Sequence, residues 1–205
     1  MKNSQMPSME TYLEPKTVDL MEEEARYARD RLLIRVLFHL GCRVSEALAL
    51  TVDDIDLGKG LVTIIHLKSR ARLFCPRCQA RLARAHQFCP ACGSKVKKAG
   101  KSETEHRKLR TLPIDPDTLQ ILKDYISHGG PVLRHGKRYI FGINRHRAWQ
   151  IVRDCAERAK LPHLLNPQTG KSRGISPHRL RDAFAVHAVK FDDSGDGLRL
   201  LSHQT

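Results

Sequence analysis

Apolar positions recur at helical spacing along the first part of the chain. The stretch from Pro15 to Gly41 carries two such runs, which predicts two consecutive helices. Proline suits a first helical turn, so the first helix begins at Pro15, and the second spans about 29–40. Gly41 follows as a stop, because glycine readily adopts the left-handed conformation that ends many helices. A short third helix is predicted from about Ser45.

The middle of the chain changes to strand-like patterns. The β-branched run "LVTIIHLKSR" (61–70) predicts a strand, and "HRKLRTLPI" (106–114) alternates basic and apolar residues as its partner would. The predicted later elements are a helix from Asp115–Asp117 to Gly129, a strand at 138–143, a helix capped by Asn144, a helix opened by Ser176 and Pro177, and a final short helical segment in "LRLLSH". The pattern therefore indicates an α+β fold that is mainly helical, with a small antiparallel sheet.

The segment between the two predicted strands contains four cysteines in two C-x-x-C pairs. They are Cys75, Cys78, Cys89 and Cys92. Two such pairs can direct four thiolates at one point, which is the ligand set of a structural zinc site. Free thiols or two disulfides are the alternatives, and His86 would be a ligand only if one cysteine were not. We predict an inserted zinc ribbon at 72–100 that holds zinc for structure alone, because four thiolates leave no open coordination position.

Charge gives this insertion a second interpretation. From Lys68 to Lys101 there are ten Lys and Arg residues and no Asp or Glu. Such a segment suits a phosphate backbone, although a stiff, soluble surface excursion would look the same. The residues predicted to contact DNA are Arg70, Arg72, Lys97, Lys98 and Lys101.

The whole chain carries a formal net charge of +14 over 205 residues. That excess favours a polyanionic partner, most commonly nucleic acid. The sequence has no apolar run long enough to span a membrane and no signal peptide, so we expect a cytoplasmic, nucleoid-associated protein.

Two short motifs resemble a known family. "GCRVSEALAL", with Arg43, resembles the first arginine box of the tyrosine recombinases, or phage integrases, and "SPHRLRDAFAVHAV", with His178 and Arg181, resembles their second box. Both occur in the family's order around a β-hairpin that carries a lysine. Without the resemblance, Arg43 would be interpreted as a surface arginine paired with Glu46.

The resemblance implies a specific chemistry on double-stranded DNA. In this family a tyrosine attacks a DNA phosphodiester, forms a 3′-phosphotyrosine and releases a 5′-hydroxyl, with no catalytic metal. Arg43 and Arg181 match the arginines that clamp the phosphate oxygens, and His178 matches the histidine that assists proton transfer. Lys68 is our choice for the hairpin lysine that protonates the leaving oxygen, with Lys101 and Lys108 as rivals.

The family's third box and its nucleophile are harder to find. His203 can be matched to the histidine of that box, or it is a chance residue near the end of the sequence. The four tyrosines all precede the second box, at Tyr12, Tyr27, Tyr125 and Tyr139. The chain therefore resembles a catalytic domain over 1–205 that is shortened at both ends and is inactive alone. The family also implies self-association as a tetramer on DNA.

Other features have plainer interpretations. His187 is predicted to be structural, and Trp149 to be a core anchor rather than a base-stacking residue. The loop "DDSGDG" has oxygen ligands that suggest calcium, but a plain loop fits its spacing better. The competing function is a zinc-ribbon DNA-binding module without phosphoryl transfer. A metal-dependent nuclease is disfavoured because the sequence lacks clustered carboxylates.

Overall fold

The computed structural model describes residues 11–190, apart from 84, 167 and 168; for 66–72 and 101–108 it describes the backbone. His203, the predicted final helical segment and the loop "DDSGDG" lie outside the described residues. The described chain forms two compact units. One unit combines the residues up to Ile64 with those from Thr111 onward, and the other is Ile65–Arg110.

Six helices form most of the first unit. They are α1 (Pro15–Glu23), α2 (Ala28–His39), α3 (Val44–Ala49), α4 (Pro116–Ser127), α5 (Arg145–Arg158) and α6 (Pro177–Lys190). All six were predicted within a few residues of these bounds. The side chains of Asp115 and Asn144 accept hydrogen bonds from the first turns of α4 and α5, as N-caps do.

Eight short or medium strands complete the described chain. They are β1 (Ile55–Asp56), β2 (Leu61–Phe74), β3 (Arg81–Leu82), β4 (Gly100–Pro113), β5 (Val132–Arg134), β6 (Lys137–Tyr139), β7 (Leu164–Leu165) and β8 (Ser172–Arg173). The predicted hairpin is confirmed, because β4 pairs with β2, and both strands are longer than expected. The architecture is mainly helical α+β with small antiparallel sheets, as the sequence indicated.

The strand predicted at 138–143 is only partly correct. β6 ends at Tyr139 and pairs with β5 in a tight hairpin. Ile140 and Phe141 leave the strand and are buried in the hydrophobic core, and the Ile140 amide donates to the Leu50 carbonyl. The apolar run therefore reflects core anchoring rather than sheet pairing.

α2 lies at the centre of the hydrophobic core, where Leu33, Ile34 and Leu37 are fully buried. Its one buried cation, Arg35, donates to the Glu22 carboxylate of α1 at 2.9 Å and to the Thr118 hydroxyl of α4 at 2.7 Å. Burial raises the pKa of Glu22, although the neighbouring Arg35 opposes that effect. This contact fixes three helices around the core.

α6 packs against the end of α2 through a very close approach. Gly41 has φ of +54°, and a Cβ built there would lie 2.1 Å from the Phe184 ring of α6. Glycine is therefore required both for the backbone conformation and for the space. Since Arg43 follows Gly41 and Arg181 lies one turn before Phe184, this packing brings the two arginine boxes together.

Candidate functional site

The start of α3 holds Arg43 in a defined position. Arg43 is the N-cap of the helix, and its backbone N–H donates to Glu46 Oε2 at 2.8 Å. Its guanidinium Nη1 also donates to Glu46 Oε1 at 3.1 Å. The local Arg43–Glu46 pair considered from the sequence therefore exists, with the Arg43 side chain 37% exposed.

The same glutamate also contacts the arginine of the second box. Arg181 Nη1 lies 3.9 Å from Glu46 Oε2, and its side chain is 13% exposed. The Glu46 side chain is only 4% exposed, so a nearly buried carboxylate lies between two guanidiniums. Two positive groups that share one negative group can still attract an anion on their solvent side.

His178 lies on the exposed side of this arrangement. Its side chain is 79% exposed, and Nε2 lies 3.6 Å from Asp182 Oδ1 one turn further along α6. Because His178 and Arg181 are three residues apart on one helix, they occupy neighbouring positions on its surface.

One cavity of about 830 Å³ joins these residues. Its lining includes Cys42, Arg43, Val44, Ser45, Arg145, Trp149, Ser176, Pro177, His178 and Arg181. The structure thus brings both arginines and His178 to one cleft, although they come from distant parts of the sequence.

Trp149 was predicted to be a core anchor, and that prediction is wrong. Its side chain is exposed at the cleft, with 40% of the residue accessible, and the Arg153 guanidinium lies 4.9 Å from its ring centroid. The buried stripe of α5 runs through Ala148, Val152 and Cys155, and Trp149 lies at its edge. Arg145, one turn earlier on α5, is the second lining residue that the sequence motifs did not indicate.

The four cysteines form a second, separate cluster in the unit Ile65–Arg110. All four Sγ atoms lie within 4.8 Å of one another. The Cys75–Cys92 distance is 3.8 Å and the Cys78–Cys89 distance is 3.5 Å. Four sulfurs bound to zinc at about 2.3 Å would be about 3.8 Å apart, so this group can hold a metal ion.

The two C-x-x-C turns have the same backbone hydrogen bond and the same type of backbone conformation. Gln79 N–H donates to the Cys75 carbonyl, and Gly93 N–H donates to the Cys89 carbonyl, each at 2.9 Å. Gln79 and Gly93 both have positive φ, of 62° and 68°. Backbone N–H groups of Cys78 and Arg77 lower the pKa of the Cys75 thiol to about 6, whereas the pKa of the Cys78 thiol is raised.

His86 is not part of the cysteine cluster. It is exposed, and its Nδ1 accepts a hydrogen bond from the Ala83 amide at 3.3 Å. The alternative in which His86 replaces a cysteine is therefore not supported by the geometry.

The predicted hairpin lysines and DNA-contacting residues lie on β2 and β4 and in the segment between them. Lys68, Arg70 and Arg72 lie on β2, and Lys101 and Lys108 lie on β4; for all five the structure describes the backbone alone. Lys97 and Lys98 are exposed. His187 is mostly buried, with Nε2 3.3 Å from the Leu13 carbonyl oxygen and its ring edge-on to Phe38, as a structural histidine would be.

The mainly helical core and the long β2–β4 hairpin match the fold of recombinase and integrase structures. Residues 11–192 match the phage integrase family, and the chain therefore belongs to that family. Within the described residues, no helix has the length and apolar character needed to cross a membrane.

Curated relatives are tyrosine recombinases. The chain is 26% identical over 170 residues to the tyrosine recombinase XerD of Neisseria meningitidis serogroup B, and 29% identical over 165 residues to that of Bifidobacterium longum. Each match covers 79% of this chain, but only 42% and 41% of the relative. The chain thus matches about two-fifths of the length of these relatives.

Solved structures share the fold at low identity. The Tn1549 transposon integrase in complex with a circular-intermediate DNA has a TM-score of 0.59 and 14% identity, covering all of this chain and 61% of that one. XerA recombinase has a TM-score of 0.56 and 18% identity, covering 94% of this chain and 53% of that one. XerH bound to its difH substrate has a TM-score of 0.55 and 18% identity, covering all of this chain and 50% of that one.

Proposed function

We propose that this chain supplies the phosphate-binding part of an active site that breaks and rejoins double-stranded DNA. The observation that carries the proposal is the cleft in which Arg43 and Arg181 meet at Glu46, beside His178. The two non-bridging oxygens of one phosphate can accept hydrogen bonds from both guanidiniums at once.

In the proposed reaction, a tyrosine hydroxyl oxygen attacks the phosphorus and the bond to the 5′-oxygen breaks. The tyrosine proton passes to His178, and Lys68 donates a proton to the leaving 5′-oxygen. Arg43 and Arg181 stabilise the negative charge that gathers on the non-bridging oxygens. Losing one such donor costs on the order of 3 kcal/mol in barrier height, or roughly a hundredfold or more in rate. This chemistry uses no catalytic metal.

The nucleophile is proposed to come from outside these 205 residues. No tyrosine follows Arg181 in the sequence. We expect that this polypeptide alone forms no covalent adduct with DNA, and that a tyrosine from a longer chain or a neighbouring protomer completes the site. His203 is proposed to join that completed site, and tetramer formation on DNA belongs to the same proposal.

The four-cysteine cluster is proposed to bind one zinc ion for structure. Four thiolates satisfy zinc completely, so the ion has no open position for a substrate. The basic residues around it, Arg70, Arg72, Lys97, Lys98 and Lys101, are proposed to contact the DNA backbone. Association with the nucleoid follows from the same DNA affinity.

The alternative is a zinc-ribbon DNA-binding module without phosphoryl transfer. The basic composition of 68–101 favours it, because charge alone gives DNA affinity. The two functions differ in what the cleft contributes: the alternative needs no anion site at Arg43 and Arg181.

DNA binding of cleft and module variants separates these functions. Affinity for a short duplex is measured at two salt concentrations for Arg181→Gln, for Lys97→Gln with Lys98→Gln, and for the control Lys59→Gln in an exposed turn. We expect weaker binding from both test variants, and a shallower salt dependence as each phosphate contact is lost. Full affinity in Arg181→Gln would favour the alternative function, a zinc-ribbon DNA-binding module without phosphoryl transfer.

A covalent adduct between this polypeptide and a nicked suicide substrate would contradict the proposed absence of DNA cleavage.

A further inference from the structure

The cysteine cluster interrupts the hairpin that carries Lys68. β2 ends at Phe74, directly before Cys75, and β4 begins at Gly100, just after the cysteine module. The module at 75–99 is therefore the turn of the hairpin, and Lys68 lies between that turn and the base of the sheet.

The sequence of the hairpin does not fix its own register in the middle. At the base, Val62 and Ile64 are buried and must face the core. Beyond Ile65 both strands become polar and basic, as in "GKSETEHRK" of β4. Strands with a mostly polar sequence have a weakly specified register, and a slip of one residue turns every side chain to the opposite face.

Two contacts fix the register on either side of Lys68. At the base, the Thr63 and Thr111 hydroxyl oxygens are 3.3 Å apart across the strands. At the turn, the Phe74 ring packs so closely on Gly100 that an added Cβ would lie 2.2 Å from it. Both contacts are consistent with one antiparallel register, because Thr63 and Phe74 are the same number of residues apart as Gly100 and Thr111.

The contact at the turn depends on a very small core. Among the described residues, the buried members of this core are Cys75, Leu82 and Cys89, so two of the three are thiols of the metal cluster. A core of this size cannot order a segment as long as 75–99 by hydrophobic burial alone. Without a metal, the segment would be a long loop that constrains the strands weakly.

We propose that metal bound by the four cysteines sets the register of the β2–β4 hairpin and thereby positions Lys68. The cysteines act as positioning residues, and loss of the metal releases the hairpin while leaving the Arg43–Arg181 cleft intact. The role of Lys68 in proton donation rests on the proposed function, whereas the effect of the metal on the hairpin does not.

Residue-level hydrogen exchange on the 205-residue protein tests this proposal. The protein is loaded with one equivalent of Zn²⁺ or treated with a strong chelator. We expect the paired amides of β2 and β4 on both sides of Lys68 to exchange at least tenfold faster without zinc, while α2 and α6 are unchanged. The Lys68 amide should give one NMR signal with zinc and either several signals or an exchange-broadened one without it, as alternative registers are sampled.

Two variants keep the result interpretable. Cys75→Ser with Cys78→Ser should reproduce the effect of the chelator, and His86→Gln in the same module should leave zinc-loaded exchange unchanged. Unchanged hairpin protection after metal loss would overturn the proposal, and so would simultaneous loss of protection in all helices. Phosphate binding, read from the fluorescence of Trp149, reports on the cleft separately, so failure of the anion site and failure of the metal effect are distinguishable.

Discussion

A single carboxylate, Glu46, organises the cleft at the scale of residues. It accepts hydrogen bonds from the backbone and side chain of Arg43 and lies 3.9 Å from Arg181. A buried carboxylate between two guanidiniums compensates part of their mutual repulsion before any phosphate arrives. The sequence indicated the Arg43–Glu46 pair from its spacing, but it could not indicate that Arg181 shares the same partner, because that contact depends on how α6 packs.

Removing the charge of Glu46 should destabilise the fold. We expect Glu46→Gln to lower the free energy of unfolding by about 1–3 kcal/mol, since two nearby cations lose a buried counter-charge. Urea denaturation measures the change. Glu157→Gln is the matched control, because Glu157 is exposed and forms a surface ion pair with Arg153 at 3.2 Å, so its effect should stay below about 0.5 kcal/mol. Equal effects for the two variants would contradict the role of Glu46.

At the scale of elements, the junction of α2 and α6 decides where the arginines meet. Helical periodicity predicted all six helices, since it depends on local sequence. The same reasoning failed at 138–143, where apolar residues enter the core instead of a strand, and at Trp149, which borders the buried stripe of α5. Both errors arise from tertiary packing, which local patterns do not record.

The close approach of Gly41 to Phe184 allows the packing of α2 against α6 to be tested by mutation. Gly41→Ala places a methyl group against Phe184 and requires a left-handed backbone that alanine disfavours. We expect a loss of about 2 kcal/mol or more in unfolding free energy, measured by urea denaturation. Gly58→Ala is the control, because φ there is not in the left-handed range and the nearest atom is a flexible carboxylate oxygen at 3.4 Å. A Gly41→Ala protein as stable as the control would show that the close approach does not matter.

At the scale of the whole molecule, a mainly helical unit carries a small insertion whose four cysteines could hold a metal ion. The cysteine spacing predicted the insertion from sequence alone, because four thiols in two C-x-x-C pairs rarely serve another purpose. The cleft was predictable only through resemblance to the family, since its arginines are distant in sequence.

Metal analysis tests the insertion directly. Freshly purified, reduced protein should contain one zinc per chain, and Cys78→Ser should bind it far more weakly because one of four ligands is gone. Cys155→Ser is the matched control, since Cys155 is buried on α5 and not a member of the cluster. A zinc content near zero in the unmodified protein would contradict a metal site.

The central claim is that Arg43 and Arg181 form one anion site. Trp149 is the only tryptophan and lines the cleft, so its fluorescence reports binding there. Titration with inorganic phosphate should give a single saturable transition. Arg43→Gln and Arg181→Gln should each abolish most of that affinity, the double variant should lose little more, and Lys59→Gln should bind normally. Phosphate binding that survives either arginine substitution unchanged would contradict the account.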